Sequence, residues 1–389
     1  LPVKSAKVCI TFHLRVTAMI AILADDLTSA LDGAAPFAAR GLNACVMLRL
    51  PDAALQGAEI VAFDLDSRFV SPEQAERRFR HAAASVKPAR LIYKTIDSTL
   101  RGNLGPETRG ALTGSGRRLA IVAPAFPDAG RTTVGGRQYV DGVALEQTAF
   151  ACDPKNPIVT GYVMERMAGL EPTRFQVFDA ADNGELDEVV RRIGIAEPVV
   201  WVGSPGLAAA LSRALPPEEN APPAQPPLRA SKVLVAIGSL HPANDAQLAS
   251  LRQAGAVLVT LPEAADPEAV AQEGRAAFAR ADVVCLISPR ARAGAADHAA
   301  VLGAVVSRCT PAFDGLVATG GDTARRIVDA MAAGSLTLFG EVEPGVPFGL
   351  LNLPGRRLSF ATKAGGFGRA GTLLNCVTRL RADREGEEQ

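Results

Sequence analysis

The chain has 389 residues, too many for one small core, and domain-size statistics divide it into about two domains. Apolar residues make up 48% and charged residues 21%, the balance of an ordinary globular protein. Lys plus Arg and Asp plus Glu stand at 41 each, and no basic stripe interleaves with aromatics, which argues against bulk nucleic-acid binding; no apolar stretch reaches the length of a membrane span.

Residues 1–18 carry basic side chains but no long apolar core with a cleavage site, and they read as an upstream extension ahead of a start at Met19. The six cysteines (Cys9, Cys45, Cys152, Cys285, Cys309 and Cys376) are scattered without a CxxC pair, as reduced core thiols of a cytoplasmic protein would be. The four histidines show no i, i+4 pair, so a zinc site is not expected.

The apolar run 19–23 predicts a short buried strand that delivers Ala24-Asp25-Asp26-Leu27-Thr28-Ser29-Ala30-Leu31-Asp32 to its carboxyl end, where a helix begins. Ligands of open α/β sheets bind at that edge. A helix cap accounts for one of these acids. Three within eight positions call for a metal, a cation or substrate hydroxyls to offset their charge. Further strands are expected at 43–49, 59–63, 90–94, 119–123, 175–179 and 198–202, with helices at 72–87 and 204–214, the rhythm of βα units and mainly parallel sheets.

Polar clusters follow several of these strands. Asp64-Leu65-Asp66-Ser67-Arg68 is an acid–base loop. Lys94-Thr95-Ile96-Asp97-Ser98-Thr99-Leu100-Arg101 combines cations for a carboxylate with acceptors for hydroxyls. Pro124-Ala125-Phe126-Pro127-Asp128-Ala129-Gly130-Arg131 is a fixed loop with an anion-holding arginine. Val140-Asp141-Gly142-Val143 predicts a tight hairpin.

Six prolines between 215 and 227 mark a boundary, giving an expected domain at 19–215, a Pro-rich linker at 216–229 and a second domain at 230–389. The rhythm then restarts, with strands at 232–237, 256–260, 282–288, 315–319 and 357–361 and helices at 243–254, 267–280 and 322–333. Three glycine-bearing loops follow strands here: Gly238-Ser239-Leu240-His241, Thr319-Gly320-Gly321-Asp322-Thr323 and Lys363-Ala364-Gly365-Gly366. Such loops aim free backbone N–H groups and a positive helix end at phosphate. No GxxxxGK[ST] sequence occurs. Gly366-Phe367-Gly368-Arg369-Ala370-Gly371 matches GxGxxG formally, too near the end of the sequence for a full βαβ unit to follow.

The stretches 24–32, 94–103, 124–136, 141–157, 319–324, 341–349 and 363–368 together resemble the four-carbon acid sugar kinase family, which includes kinases for threonate, erythronate and 3-oxo-tetronate. The resemblance runs from Met19 to about Leu374, with its motifs in order. It implies an N-terminal sugar-acid-binding domain and a C-terminal nucleotide-binding domain, with ATP phosphorylating the terminal hydroxyl of the acid. By motif match Asp25, Asp26, Asp97 and Arg101 stand at the substrate. Ser239, Gly320, Gly321, Asp322, Thr323 and Gly366 stand at ATP. The residues themselves add Asp66, Arg68, Lys94, Ser98 and Arg131 on the substrate side, and His241 and Gly365 on the nucleotide side. Asp25, Asp26 or Asp322 is the expected acid that orients the attacking hydroxyl or the metal, with Mg²⁺ bridging the phosphates. The sequence departs from the family at Ser29, where Gly is common, at Leu65, and at Leu240-His241. Two other functions fit parts of the pattern: an NAD(P)-dependent sugar-acid dehydrogenase, on the GxGxxG match, and a non-catalytic sugar-acid sensor. The expected partner is a small acid sugar, with neither nucleic acid nor membrane, and a homodimer is the base-rate assembly.

Overall fold

The structure is a computed structural model and describes residues 19–48, 58–152, 156–216, 228–238, 241–289 and 297–382. The expected extension at 1–18, most of the Pro-rich linker, Cys9, Ser239 and Leu240 lie outside the described residues.

The N-terminal half opens with β1 (Ile20–Ala24), α1 (Leu27–Ala38), β2 (Ala44–Met47), β3 (Ile60–Asp64), α2 (Pro72–Ser85), β4 (Leu91–Thr95), α3 (Leu104–Ser115) and β5 (Ala120–Ala123). A small antiparallel sheet of β6 (Arg131–Val134), β7 (Arg137–Val140) and β8 (Val143–Ala144) interrupts it. Then come α4 (Val163–Arg166), β9 (Phe175–Val177), α5 (Asn183–Ile193), β10 (Val200–Gly203) and α6 (Pro205–Ala214). The C-terminal half runs β11 (Val233–Ile237), α7 (Ala243–Gln253), β12 (Val257–Thr260), α8 (Pro267–Ala277), β13 (Val283–Ile287), α9 (His298–Cys309), β14 (Gly315–Thr319) and α10 (Gly321–Ala330). It closes with β15 (Ser335–Glu341), β16 (Pro347–Leu353), β17 (Arg356–Lys363) and α11 (Thr372–Arg381).

Local chemistry explains these elements. β1 and β11 are buried along their whole length, as apolar strands covered by helices on both faces must be. Asp26, Ser71, Asp182 and Asp266 cap α1, α2, α5 and α8 by accepting backbone N–H bonds. The expected hairpin turn sits between β7 and β8, with positive φ at both Asp141 (49°) and Gly142 (79°), as a type I′ turn requires.

The α/β class and the mainly parallel pairing hold, and the two halves prove to share one 14-stranded sheet. Its order is β12-β13-β11-β14-β17-β16-β15-β2-β3-β1-β4-β10-β5-β9. The join is antiparallel: β15 pairs with β2 from Ser335 opposite Met47 to Leu338 opposite Ala44. On a flat sheet, this reversal would put the carboxyl ends of the two parallel sets on opposite edges. Sheets twist by roughly 20–25° per strand, so the six steps from β14 to β1 turn the direction by about 120–150° and bring both sets of ends toward one cleft. No helix among the described residues is long and apolar enough to cross a membrane.

Candidate active site

That cleft encloses about 570 Å³. Its N-terminal wall carries Asp26, Thr28, Ser29 and Asp32 from the start of α1, Arg68 after β3, Thr95, Asp97, Ser98 and Arg101 after β4, and Arg131 on β6. Its C-terminal wall carries Gly238 and His241 after β11, Gly320 to Thr323 after β14, and Gly365, Gly366 and Phe367 after β17.

Arg68 organises the first wall. Its Nε donates to Asp25 Oδ2 (2.7 Å), and Nη2 donates to Asp25 Oδ1 (3.0 Å) and Ser29 Oγ (2.9 Å). Its Nη1 pairs with Asp26 and lies 3.7 Å from Asp97 Oδ2. Burial works against its charge, yet Asp25, Asp26 and Asp97 outweigh that and hold its proton more tightly than an ordinary arginine does. Burial raises the Asp26 carboxyl, opposed by Arg68 and assisted by Asp25. Burial pushes Asp97 the same way but is outweighed by Arg101, Arg68 and the Thr99 hydrogen bonds, so its carboxyl titrates well below the usual range. Thr99 donates its N–H and hydroxyl to Asp97 Oδ1, both at 2.8 Å, and Arg101 Nε donates to Oδ2 at 2.5 Å.

Three expected substrate residues stand elsewhere. Asp25 lies behind Arg68 and does not line the cleft. Lys94 is wholly buried in a 2.8 Å ion pair with Glu107, which also accepts a 2.6 Å bond from Ser67 Oγ. That pair ties β4 to α3 and to the loop after β3, so the ammonium is engaged in holding the wall. Asp66 is exposed, 3.7 Å from Arg78, and does not line the cleft. Ser98 lines it, and its carbonyl accepts a 2.8 Å bond from buried Gln138.

The second wall is built for close approach. Gly320, at φ 95°, precedes α10 and anchors it by donating its N–H to Lys363 O at 3.0 Å. A Cβ placed on Gly321 would stand 2.8 Å from Thr28 Oγ1 and 3.1 Å from Asp26 Oδ2, so the α10 N-terminus presses against the α1 N-terminus across the cleft. A Cβ on Gly366 would meet the His241 ring at 3.2 Å. Under this loop Lys363 Nζ, fully buried, donates to Asn244 Oδ1 (3.0 Å) and to the carbonyls of Ala364 and Gly365 (both 3.3 Å). Burial lowers that ammonium to about 8. His241 is lowered by burial and then by Lys363 and Arg131. Asp322 is 44% exposed, 3.8 Å from Arg326. The Lys363 ammonium is thus engaged in holding the 364–365 loop, while the α10 N-terminus and the glycine loops at 320–321 and 365–366 line the cleft, an arrangement suited to an anion such as phosphate.

Sequence reasoning gave no role to three features. The Phe367 ring stacks on Phe126 (centroids 6.1 Å apart, 26°) and lies under the Arg131 guanidinium (5.3 Å), clasping the two walls together. Lys363 was seen only as the first residue of a glycine loop. Asp32 was noticed within the acidic stretch, and its i, i+4 spacing from Thr28 was the signal that both face the cleft.

Fold and site define an α/β protein whose cleft has two walls, one of acids and arginines and one of glycine loops and a helix N-terminus. Residues 20–174 match the family model described as a sugar-binding N-terminal domain, and residues 234–373 match that of a nucleotide-binding C-terminal domain. The chain is 35% identical to the D-threonate kinase of Cupriavidus necator, over 93% of this chain and 98% of that one. It is 33% identical to the D-erythronate kinase of Heliobacterium modesticaldum over 60% of each chain. The chain belongs to the four-carbon acid sugar kinase family and is an ATP-dependent phosphotransferase of that class. A solved Salmonella typhimurium LT2 structure, carrying a provisional tRNA synthase label, shares the fold at TM-score 0.76 and 21% identity, covering 92% of this chain and 98% of that one. The dehydrogenase and sensor readings find no support in these relatives. In the structure the GxGxxG match leads into α11, with no strand after it among the described residues.

Proposed function

We propose that this kinase phosphorylates the terminal hydroxyl of D-threonate or a close four-carbon sugar acid, with ATP as donor. The observation that carries the choice of acid is the 35% identity to a D-threonate kinase over nearly the whole of both chains. Transfer between two walls is supported by the 2.8 Å approach of a Gly321 Cβ position to Thr28 Oγ1, which sets the α10 N-terminus directly against the acid-rich wall. Arg131 and Arg101 supply the carboxylate clamp. Arg131 Nε is buried without an acceptor, a donor that a ligand carboxylate would satisfy. Arg68, saturated by Asp25, Asp26 and Ser29, positions those groups. Asp26, Asp97 and Ser98 face the hydroxyls, while His241, Gly320, Gly321, Thr323, Gly365 and Gly366 face the nucleotide; Ser239 belongs to the same loop as His241.

Among the described residues no group of three or more His, Cys, Asp or Glu side chains could hold a metal ion. A Mg²⁺ would enter with the nucleotide phosphates and neutralise their charge, with Asp322 as the carboxylate on that wall of the cleft. We place the division between domains at 216–229, which lies between the two matched family models. The described cysteines are all free, which supports a reducing, cytoplasmic location.

The test is ADP release from ATP with D-threonate, L-threonate, D-erythronate and 3-oxo-tetronates as acceptors. D-threonate is expected to give the highest kcat/KM. Absence of ATP-dependent product with every member of the panel would remove the assignment.

A further inference from the structure

One acid of the cleft has nothing holding it. Asp32 is 7% exposed, lines the cleft, and no donor reaches its Oδ1. Two further buried oxygens, Thr28 Oγ1 and Thr95 Oγ1, line the same cleft without partners. Buried polar atoms left unpaired are few in native proteins, and each calls for an explanation. These three line one cleft and are linked through α1. Thr28 and Asp32 are one turn apart on the same face of α1. Thr95 reaches α1 from the end of β4, where a Cβ on Gly33 would stand 2.5 Å from Thr95 Cγ2. Thr28 is also the residue that the α10 N-terminus touches. Thr28 therefore stands where the two walls meet, with Asp32 one turn further along α1 and Thr95 packed against that helix.

The other acids of the cleft are committed. Asp26 Oδ1 caps α1 by accepting from Ser29 N at 2.7 Å, and Oδ2 pairs with Arg68. Asp97 uses both oxygens on Thr99 and Arg101. Asp322 is nearly half exposed on the opposite wall.

We propose that Asp32 is the proton acceptor for the attacking hydroxyl, with Thr28 and Thr95 orienting that hydroxyl; this deepens the kinase assignment and rests on it. The hydroxyl oxygen bonds to the γ-phosphorus while the bond from that phosphorus to the β–γ bridging oxygen breaks. The bond's electron pair leaves with ADP, and the hydroxyl proton passes to the Asp32 carboxylate. The groups facing Asp32 suit the role. Burial first, then Glu341 of β15, Asp26 and Asp97 raise its proton affinity well above that of an ordinary aspartate, opposed by Arg68. A base is effective when its proton affinity is brought up toward the working pH.

Asp32→Asn keeps the shape and removes the base. With ATP and D-threonate we expect kcat to fall by about 10²–10⁴-fold, both KM values to stay within about threefold, and the acidic limb of the kcat–pH profile to disappear. A kcat within about fivefold of wild type, or a raised acceptor KM with kcat intact, overturns the proposal. Should Asp32→Asn not fold, Thr28→Val and Thr95→Val carry the test. Each is expected to lower kcat by about tenfold, as loss of one orienting hydrogen bond would, and unchanged kcat in both overturns it. Wild-type enzyme inert toward the whole acceptor panel would instead remove the kinase substrate assignment, so the two failures are distinguishable.

Discussion

Arg68 shows how one side chain makes an acid cluster tolerable. Asp25, Asp26 and Asp97 would repel one another if they were buried alone; a planar guanidinium with several donors can serve all three at once, as a lysine's single ammonium cannot. Removing it leaves uncompensated buried carboxylates. Arg68→Met should cost roughly 3–5 kcal/mol in urea unfolding, the range for breaking a buried pair from one side. Ser29 shares this role through its 2.9 Å bond from Arg68, which gives the family departure at that position a physical meaning. Ser29→Gly should loosen Arg68 by about 1 kcal/mol and raise the acceptor KM severalfold with the nucleotide KM unchanged, measured by steady-state kinetics. Glu341 is one source of pH-dependent stability. Burial lifts its carboxyl from 4.5 to about 7, with Asp128 adding and the Gly345 N–H opposing. Between those values the folded chain keeps a proton that the unfolded chain has released, so this group's contribution to stability falls as pH rises from 4.5 to about 7 and is level above. Glu341→Gln should remove that slope, worth about 3 kcal/mol at most, and the difference between wild-type and variant Tm across pH 4–8 reads it directly.

At the scale of elements, the nucleotide wall depends on what lies beneath it. Lys363 ends β17 and, with no carboxylate among its hydrogen-bond partners, ties Asn244 of α7 to the carbonyls of the 364–365 loop. Lys363→Met should leave those oxygens unpaired and raise the nucleotide KM by about tenfold, with little change in the acceptor KM. A rise in both would mean that the whole fold had loosened. β1, β4, β11 and β14 were legible in the sequence because burial on both faces demands unbroken apolar runs, and the Asp141-Gly142 turn because its φ values admit few residues. β15 and β16 were not legible as strands. β15 carries a register shift between Leu338 and Gly340 and pairs with β2, almost 300 residues earlier, so nothing local announces its partner. The 341–349 stretch registered only as a motif. The site divides in the same way. The acids after β1 and β4 and the glycine loops are local clusters and were visible. Which polar groups the fold consumes for its own support was not: Lys94 is taken up by Glu107 on the next helix, and Asp66 turns to Arg78.

The whole molecule is one sheet rather than two beads on a tether. The β2–β15 ladder gives the halves a shared backbone, and buried Asp64 reinforces it with a 2.6 Å bond from Arg325 on α10. The Phe126–Phe367–Arg131 stack closes the far side of the cleft. A Pro-rich linker alone would let the two halves swing freely, but a continuous ladder permits only twisting of the β15–β17 insert. Closure over ATP and the sugar acid, which must exclude water from the transferring phosphoryl group, then has to come from that twist and from the loops at the strand ends. The consequence is mechanical and can be checked. A protease site inserted within 217–227 and cut after folding should leave the halves bound together through size-exclusion chromatography, with a single calorimetric transition and kinase activity within a fewfold of the uncut enzyme. Arg325→Met in the same nicked protein leaves Asp64 buried and unpaired at the join, so it should lower Tm and let the halves separate at lower urea than in the nicked parent. Free dissociation of the halves upon cutting alone would mean that the ladder contributes little and that the linker holds the molecule together.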